Sequence, residues 1–374
     1  MNTKKIKPTV INLIQTVATP HNNVLIEELY KKKLPLNLWY AKESDSKKYN
    51  WKEDLTNSFY PAKIYGEKLN IPFLWYCIKH RNEKFLIVGW ANINTLILHV
   101  LFFILRRRYN HWTDMPRPLR ASPAIKARIL RYIAYIILRY SKVKVFCVGM
   151  VTIKFFETQH FPASMLVNLP IFTDVERADS HQCKNRETFR AKYGCNVRDY
   201  LIVGGSRLVY EKGYDLLIEA VAKLPLQVKK QVKVLIVGRG EEQISIKKLV
   251  EDLGLSQIIR VESWMEMRDF KNLISCSDIF VHPSRHDAFG GTILAMALGV
   301  AVIGSTGAGA AVDRIEHGVN GFLYKAEDTK ALSHYITLLL SDSELRERIA
   351  TAGRATAVEW PPARGVKILL EHAI

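Results

Sequence analysis

Ser284-Arg285-His286-Asp287-Ala288-Phe289-Gly290-Gly291-Thr292, with Ala295-Met296-Ala297-Leu298-Gly299, Val302-Ile303-Gly304-Ser305 and His317-Gly318-Val319-Asn320-Gly321-Phe322-Leu323 after it, sets the reading of the whole chain. The pattern predicts a buried strand ending in a polar, glycine-bearing loop, then a helix, a second strand and a second glycine loop. A strand, a small-residue turn and a helix start is how α/β proteins hold phosphate. Free backbone N–H groups and the positive helix end point at the anion. Taken alone, the stretch implies only a nucleotide or phosphate ligand.

The wording of the stretch says more, because three further segments follow the same pattern. They are Val203-Gly204-Gly205-Ser206-Arg207-Leu208-Val209-Tyr210-Glu211-Lys212-Gly213, Val234-Leu235-Ile236-Val237-Gly238-Arg239-Gly240 and Ser277-Asp278-Ile279-Phe280-Val281-His282-Pro283-Ser284. Together the four matches cover roughly residues 200 to 325, in order and at the right separations. They resemble the donor site of retaining, nucleotide-sugar-dependent glycosyltransferases of the two-domain GT-B type, family 4 (glycosyl transferases group 1), of the bacterial surface-polysaccharide kind. The resemblance implies an α/β fold of two Rossmann-like doubly wound domains facing a cleft. It implies that Arg207 and Lys212 neutralise the donor diphosphate, and that Gly205, Gly238 and Phe289 belong to the donor site. Gly290, Gly291 and Thr292 would supply N–H groups and a hydroxyl to the phosphates. Asp287 would orient the donor sugar and stabilise positive character at its anomeric carbon. No Asp-x-Asp pair lies at an expected strand end, and Glu43-Ser44-Asp45 reads as a solvated loop among lysines, so no metal is expected, nor a cofactor beyond the nucleotide-sugar.

One departure stands out. The family pattern carries a second glutamate eight positions after the first acid, and here that position is Ala295. The stretch before Ala297-Leu298-Gly299 is one residue shorter than the pattern. Either another residue holds the donor ribose, or donor binding is altered, or catalysis is lost. Each motif residue also has a plainer reading. Arg207 and Lys212 are also read as surface cations, Gly290 to Thr292 as a tight turn, and Asp287 as a helix cap.

Length and composition fit this frame. A chain of 374 residues exceeds one ordinary core and suits two domains of about 180 residues each. Its 48% hydrophobic content is that of a globular protein, not a disordered one. Five scattered cysteines with no C-x-x-C pair argue against zinc and dithiol sites and predict reduced thiols. The net charge of +18 is one-sided: residues 1–180 hold 28 Lys/Arg against 13 Asp/Glu, and the rest 26 against 23. A basic half wants a polyanion, either nucleic acid, an anionic membrane face or a phosphorylated substrate. No helix-turn-helix, zinc-ligand or RNA-binding wording accompanies it, so nucleic acid is not expected.

The first half reads as alternating strands and helices, which implies parallel sheets covered on both faces. Expected strands are 9–15, 85–90 and 143–148. Expected helices start near Val24 and run over 95–105 and 125–140, with a strand end and loop over 110–116. The helix over 95–105 is nearly all apolar but too short to span a bilayer. The helix over 125–140 is basic and rich in tyrosine, suited either to solvent or to an anionic bilayer. His21, and His111 with Asp114, fall at expected strand ends facing the cleft. They are candidates for acceptor positioning or proton transfer. The expected organisation is an acceptor-binding domain over 1–175, a linker over 176–198, a nucleotide-sugar domain over 199–355, and a last helix in 356–374 packing back on the first domain.

The function expected from the resemblance is transfer of a sugar, with retention, from a nucleoside-diphosphate-sugar to a lipid-linked or lipopolysaccharide/capsule-type acceptor. It would take place in the cytoplasm, peripherally on the inner face of the cell membrane. The alternative is a non-catalytic GT-B relative acting as a binding or scaffolding subunit.

Overall fold

All strand pairing in the described residues is parallel, as alternation of strand and helix requires. The structure, a computed structural model, describes residues 10–43, 62–89, 92–116, 125–176 and 186–373, without the side chains of residues 20, 21, 125–128, 130 and 131. The chain divides into two units. One runs to Phe172 and takes up the chain again from Pro362; the other is Thr173–Pro361.

The first unit holds β1 (Ile11–Gln15), β2 (Leu36–Tyr40), β3 (Ala62–Ile64), β4 (Lys84–Val88), β5 (Tyr109–Thr113), β6 (Val143–Cys147) and β7 (Leu166–Asn168). They lie in the order β3-β2-β1-β4-β5-β6-β7. The helix after β1 begins at Pro20, earlier than the predicted start near Val24. The Thr19 hydroxyl caps it, accepting the Asn22 N–H at 3.2 Å. Proline is tolerated at the first helical position, because the N–H it lacks has no partner there anyway. Of the stretch predicted as a strand end and loop over 110–116, residues 110–113 belong to β5, a full strand between β4 and β6, and 114–116 form the loop after it. Helix Pro362–His372 belongs to this unit and lies against helix Pro20–Lys31.

The second unit holds β8 (Tyr200–Gly205), β9 (Val232–Val237), β10 (Ile259–Glu262), β11 (Ile279–His282), β12 (Ala301–Ser305) and β13 (Phe322–Tyr324). Their order is β10-β9-β8-β11-β12-β13. Side chains alternate between two cores. Ile202, Val234, Ile236, Ile279, Val281 and Ile303 lie in one, and Leu201, Val203, Leu235, Phe280 and Val302 in the other. Both faces are therefore covered, as the near-continuous apolar runs of these strands demand. Each such Val, Leu or Ile side chain contributes about 1.5–3 kcal/mol. The strand order reverses between β8 and β11. In doubly wound sheets the crevice beyond the carboxyl ends of such a pair takes the ligand.

Cys77, Cys147 and Cys195 are free and buried. Cys276 is disulfide-bonded, which corrects the expectation that every thiol is reduced. Among the described residues no helix is long and apolar enough to cross a membrane.

Candidate functional site

Two loops meet beyond β8 and β11. After β8 the chain passes Ser206 and Arg207, makes a short turn over Tyr210–Lys212 and enters helix Tyr214–Ala222 through Gly213. After β11 it runs through Pro283 to Gly291 and enters helix Thr292–Ala297. Gly213 makes the meeting close. It is left-handed at φ 66, and a Cβ there would stand 2.2 Å from the Pro283 carbonyl oxygen. The backbone ties the loops as well, since Arg285 and His286 both donate their N–H to the Glu211 carbonyl, at 2.9 and 3.0 Å.

At the junction Lys212 Nζ donates to Oδ2 of Asp287, and only about 12% of either side chain is exposed. His282 Nε2 lies 3.0 Å from the same oxygen, and its Nδ1 lies 2.9 Å from the Thr292 hydroxyl. Burial alone would raise the Asp287 carboxyl. The Lys212 charge and then His282 overcome that and hold it far below the usual carboxylate range. Asp287 does not cap the following helix. Gly291 occupies the cap position, and no side-chain cap bond is present.

The other donor-side residues predicted from sequence gather around this pair. Gly205 ends β8, and Arg207 follows it, half-buried. Gly238 follows the last residue of β9 and abuts the Ser206 carbonyl. Phe289 is buried, and Gly290, Gly291 and Thr292 lead into the helix. Ala295 is fully buried in the core, so that position offers no polar group. The Asp313 side chain is 1% exposed and paired with the neighbouring Arg314, whose guanidinium stands over the Trp360 ring at 3.5 Å. That makes it part of the interior.

The first-unit candidates fare differently. His111 lies at the centre of β5, fully buried, with its ring 4.9 Å from that of His99. Burial, and then His99, push its basicity well below the ordinary histidine value. This corrects the reading of His111 as a strand-end group. The parallel ladder on both sides encloses it, while Asp114 beyond the strand is exposed. His21 sits in the first turn of the helix after β1, and its side chain lies outside the described residues. Among the described residues no cluster of three or more His, Cys, Asp or Glu could hold a metal ion.

Two features were missed in the sequence. His282 is one; it could have been found as the single polar residue of an otherwise apolar strand, Ile279–His282, at its carboxyl end. Arg285 is the other. It makes two bonds to Asp215, at 2.8 and 2.5 Å, reaches Glu327 at 2.9 Å and stands over the Tyr210 ring at 4.1 Å. It thus clamps the Lys212 turn to the Asp287 loop, and no motif advertises such a long-range partner.

Comparison with known proteins fits this geometry. Residues 185–356 match the family model of glycosyl transferases group 1. Over 170 residues the chain is 32% identical to the lipopolysaccharide core biosynthesis glycosyltransferase LpsE of Rhizobium meliloti, covering 45% of this chain and 48% of that one. Over 202 residues it is 30% identical to a GDP-mannose-dependent phosphatidylinositol monomannoside mannosyltransferase of Corynebacterium glutamicum, covering 52% of each. These matches span about half the length of the curated relatives. Among solved structures, Anabaena HepE in complex with UDP superposes with a TM-score of 0.78 at 18% identity, covering 97% of this chain and 99% of that one. WaaG, a glycosyltransferase involved in lipopolysaccharide biosynthesis, gives 0.69 at 16% identity over 96% and 99%. The two parallel sheets are thus those of the GT-B fold, and the segment that holds the second of them is similar to the glycosyl transferases group 1 family.

Proposed function

We propose that this protein is a glycosyltransferase that moves a sugar, with retention, from a nucleoside-diphosphate-sugar to a lipid-linked or lipopolysaccharide/capsule-type acceptor. The observation that carries the proposal is the Lys212–Asp287 pair at the point where the second sheet reverses its strand order. A fixed cation there, with Arg207 nearby in the chain, offsets the charge that builds on the leaving diphosphate. Among the described residues no backbone hydrogen bond uses the N–H groups of Gly290, Gly291 or Thr292, so they can serve a phosphate. Asp287 stays ionised beside the reacting centre, where positive character develops.

The acceptor class is supported by the relatives named above and by the surface of the first unit. Helices Ile93–Ile104 and Ile125–Tyr140 are neighbours. With Leu105, which caps the first, they expose Phe103, Ile104, Ile129, Tyr132 and Ile133; Arg106 and Arg108 follow and are exposed, while Arg107 turns inward over the Phe85 and Phe102 rings. An apolar face rimmed by arginine suits the surface of an anionic bilayer, where each lysine or arginine contributes about 1 kcal/mol.

The test is slow donor hydrolysis by the purified protein with UDP-glucose, UDP-galactose, GDP-mannose and ADP-glucose. The released sugar is examined by NMR before it mutarotates. Release from one donor with its anomeric configuration kept supports the proposal. Inversion would refute retention. Release from none, with no nucleoside diphosphate bound, would favour a scaffolding subunit.

A further inference from the structure

His282 is nearly buried at the end of a strand that is otherwise apolar, yet both of its ring nitrogens have polar partners. A space-filling role asks for neither. The Asp287 carboxylate can only accept, so Nε2 carries the proton aimed at it, and in the neutral ring Nδ1 then accepts from the Thr292 hydroxyl. Oδ2 of Asp287 thus receives two donors, Lys212 and His282, while among the described residues no hydrogen bond falls on Oδ1. The loop is built around this contact. Gly290 is held at φ 96, and a Cβ there would stand 2.2 Å from Cε1 and 2.5 Å from Nε2 of His282, and 2.7 Å from Oδ2 of Asp287. Only glycine lets the backbone fold over the histidine–carboxylate pair.

We propose that His282 is a positioning residue of the donor site: anchored by Thr292, it holds Oδ2 of Asp287, which frees Lys212 for the donor diphosphate and leaves Oδ1 for a donor hydroxyl. The proposal rests on the reading of this site as a nucleotide-sugar site. Its physical basis is the cost of stripping a buried carboxylate of its partner. If Lys212 alone held Asp287, turning to a phosphate would leave that charge unpaired, and binding energy would be spent on breaking the ion pair. With His282 on the same oxygen, Lys212 is shared at lower cost and the carboxylate keeps its position. The orientation of Asp287 is then fixed from the protein side, in a chain where Ala295 replaces the usual second glutamate.

The experiment is a double-mutant cycle on UDP, GDP and ADP affinity, using whichever binds the wild type. His282→Ala should weaken binding about tenfold, within the range of coupling between contacting groups. In an Asp287→Asn background the same change should alter affinity less than about twofold, because a neutral side chain no longer ties up Lys212. His282→Gln, whose amide nitrogen reaches the place of Nε2, should recover most of the loss; His282→Asn, which reaches only the place of Nδ1, should not. Equal weakening in both backgrounds, or equal behaviour of the Gln and Asn variants, overturns the proposal and makes His282 a packing residue. Lys212→Ala separates the two levels. If it leaves nucleotide affinity unchanged, or if no nucleoside diphosphate binds the wild type, the donor-site reading itself fails and this inference falls with it.

Discussion

Each sheet buries a histidine in a strand, and the two have opposite chemical standing. His111 lies mid-strand in β5, enclosed by two parallel neighbours and stacked edge-on against His99. His282 ends β11 at the reversal of strand order, hydrogen-bonded to Thr292 on one side and Asp287 on the other. Burial makes the first a neutral part of the core. Position and partners make the second part of a polar chain that reaches Lys212. The lesson is that depth does not mark a functional histidine in an α/β protein; the carboxyl end of a strand at the switch point does.

The sharpest way to break this contrast is in the second unit. Lys212→Ala and Arg207→Ala should each lower donor turnover by about 100-fold or more, the scale for losing a preorganised charge-stabilising group. His111→Asn, measured in the same assay, should lower it by less than about threefold at temperatures where the protein stays folded, as expected of a residue enclosed in the core of the first sheet. A loss at His111 equal to that at Lys212 would erase the distinction. Gly290→Ala comes next. A side chain there enters the left-handed region and overlaps the His282–Asp287 contact. It should cost about 1–3 kcal/mol in denaturant unfolding and nucleotide affinity as well.

The acid response sharpens the comparison from the first unit. Burial pushes His99 down to about 3, and His111 is held well below its ordinary value. Above about pH 6.5 both are neutral whether folded or not, so they take nothing from stability. As pH falls below that, the unfolded chain binds protons that the folded chain refuses, and stability drops by up to about 1.4 kcal/mol per pH unit for each histidine until the folded value is reached. His111→Asn should therefore shallow the fall in unfolding free energy between pH 6 and pH 5, as read from urea midpoints. An unchanged slope would mean that His111 titrates normally. The smallest effect is expected on the first unit's surface. Ile104→Glu should weaken co-sedimentation with phosphatidylserine vesicles a few-fold and leave nucleotide binding intact.

The second unit was the more legible of the two. Its strands are continuous apolar runs, and its loops carry glycines where chains cross within van der Waals distance, so the strands were legible from pattern, while Gly205, Lys212, Asp287 and Gly290 were placed along the site by the resemblance of four motifs to a glycosyltransferase donor site. Long-range pairing was not legible. That Lys212 bonds Asp287, that His282 shares the same oxygen and that Arg285 reaches Asp215 depend on how two loops meet, which no local pattern encodes. In the first unit the helix over 125–140 was found at its observed bounds from its three- and four-residue apolar spacing. His111 was misplaced because Asn110, His111 and Thr113 give β5 a polar wording, although all five of its residues are buried. Here tertiary enclosure overrides local composition. The short strand β3, with two of its three residues exposed, carried too little pattern to be read at all.

The central claim is that the Lys212–Asp287 junction receives a nucleoside diphosphate. The most direct test is calorimetric titration of the wild type and of Lys212→Ala with UDP, GDP, ADP, TDP and CMP. The account predicts saturable binding of one nucleoside diphosphate to the wild type and its loss in Lys212→Ala. Binding of none, or binding that survives the substitution unchanged, would contradict it.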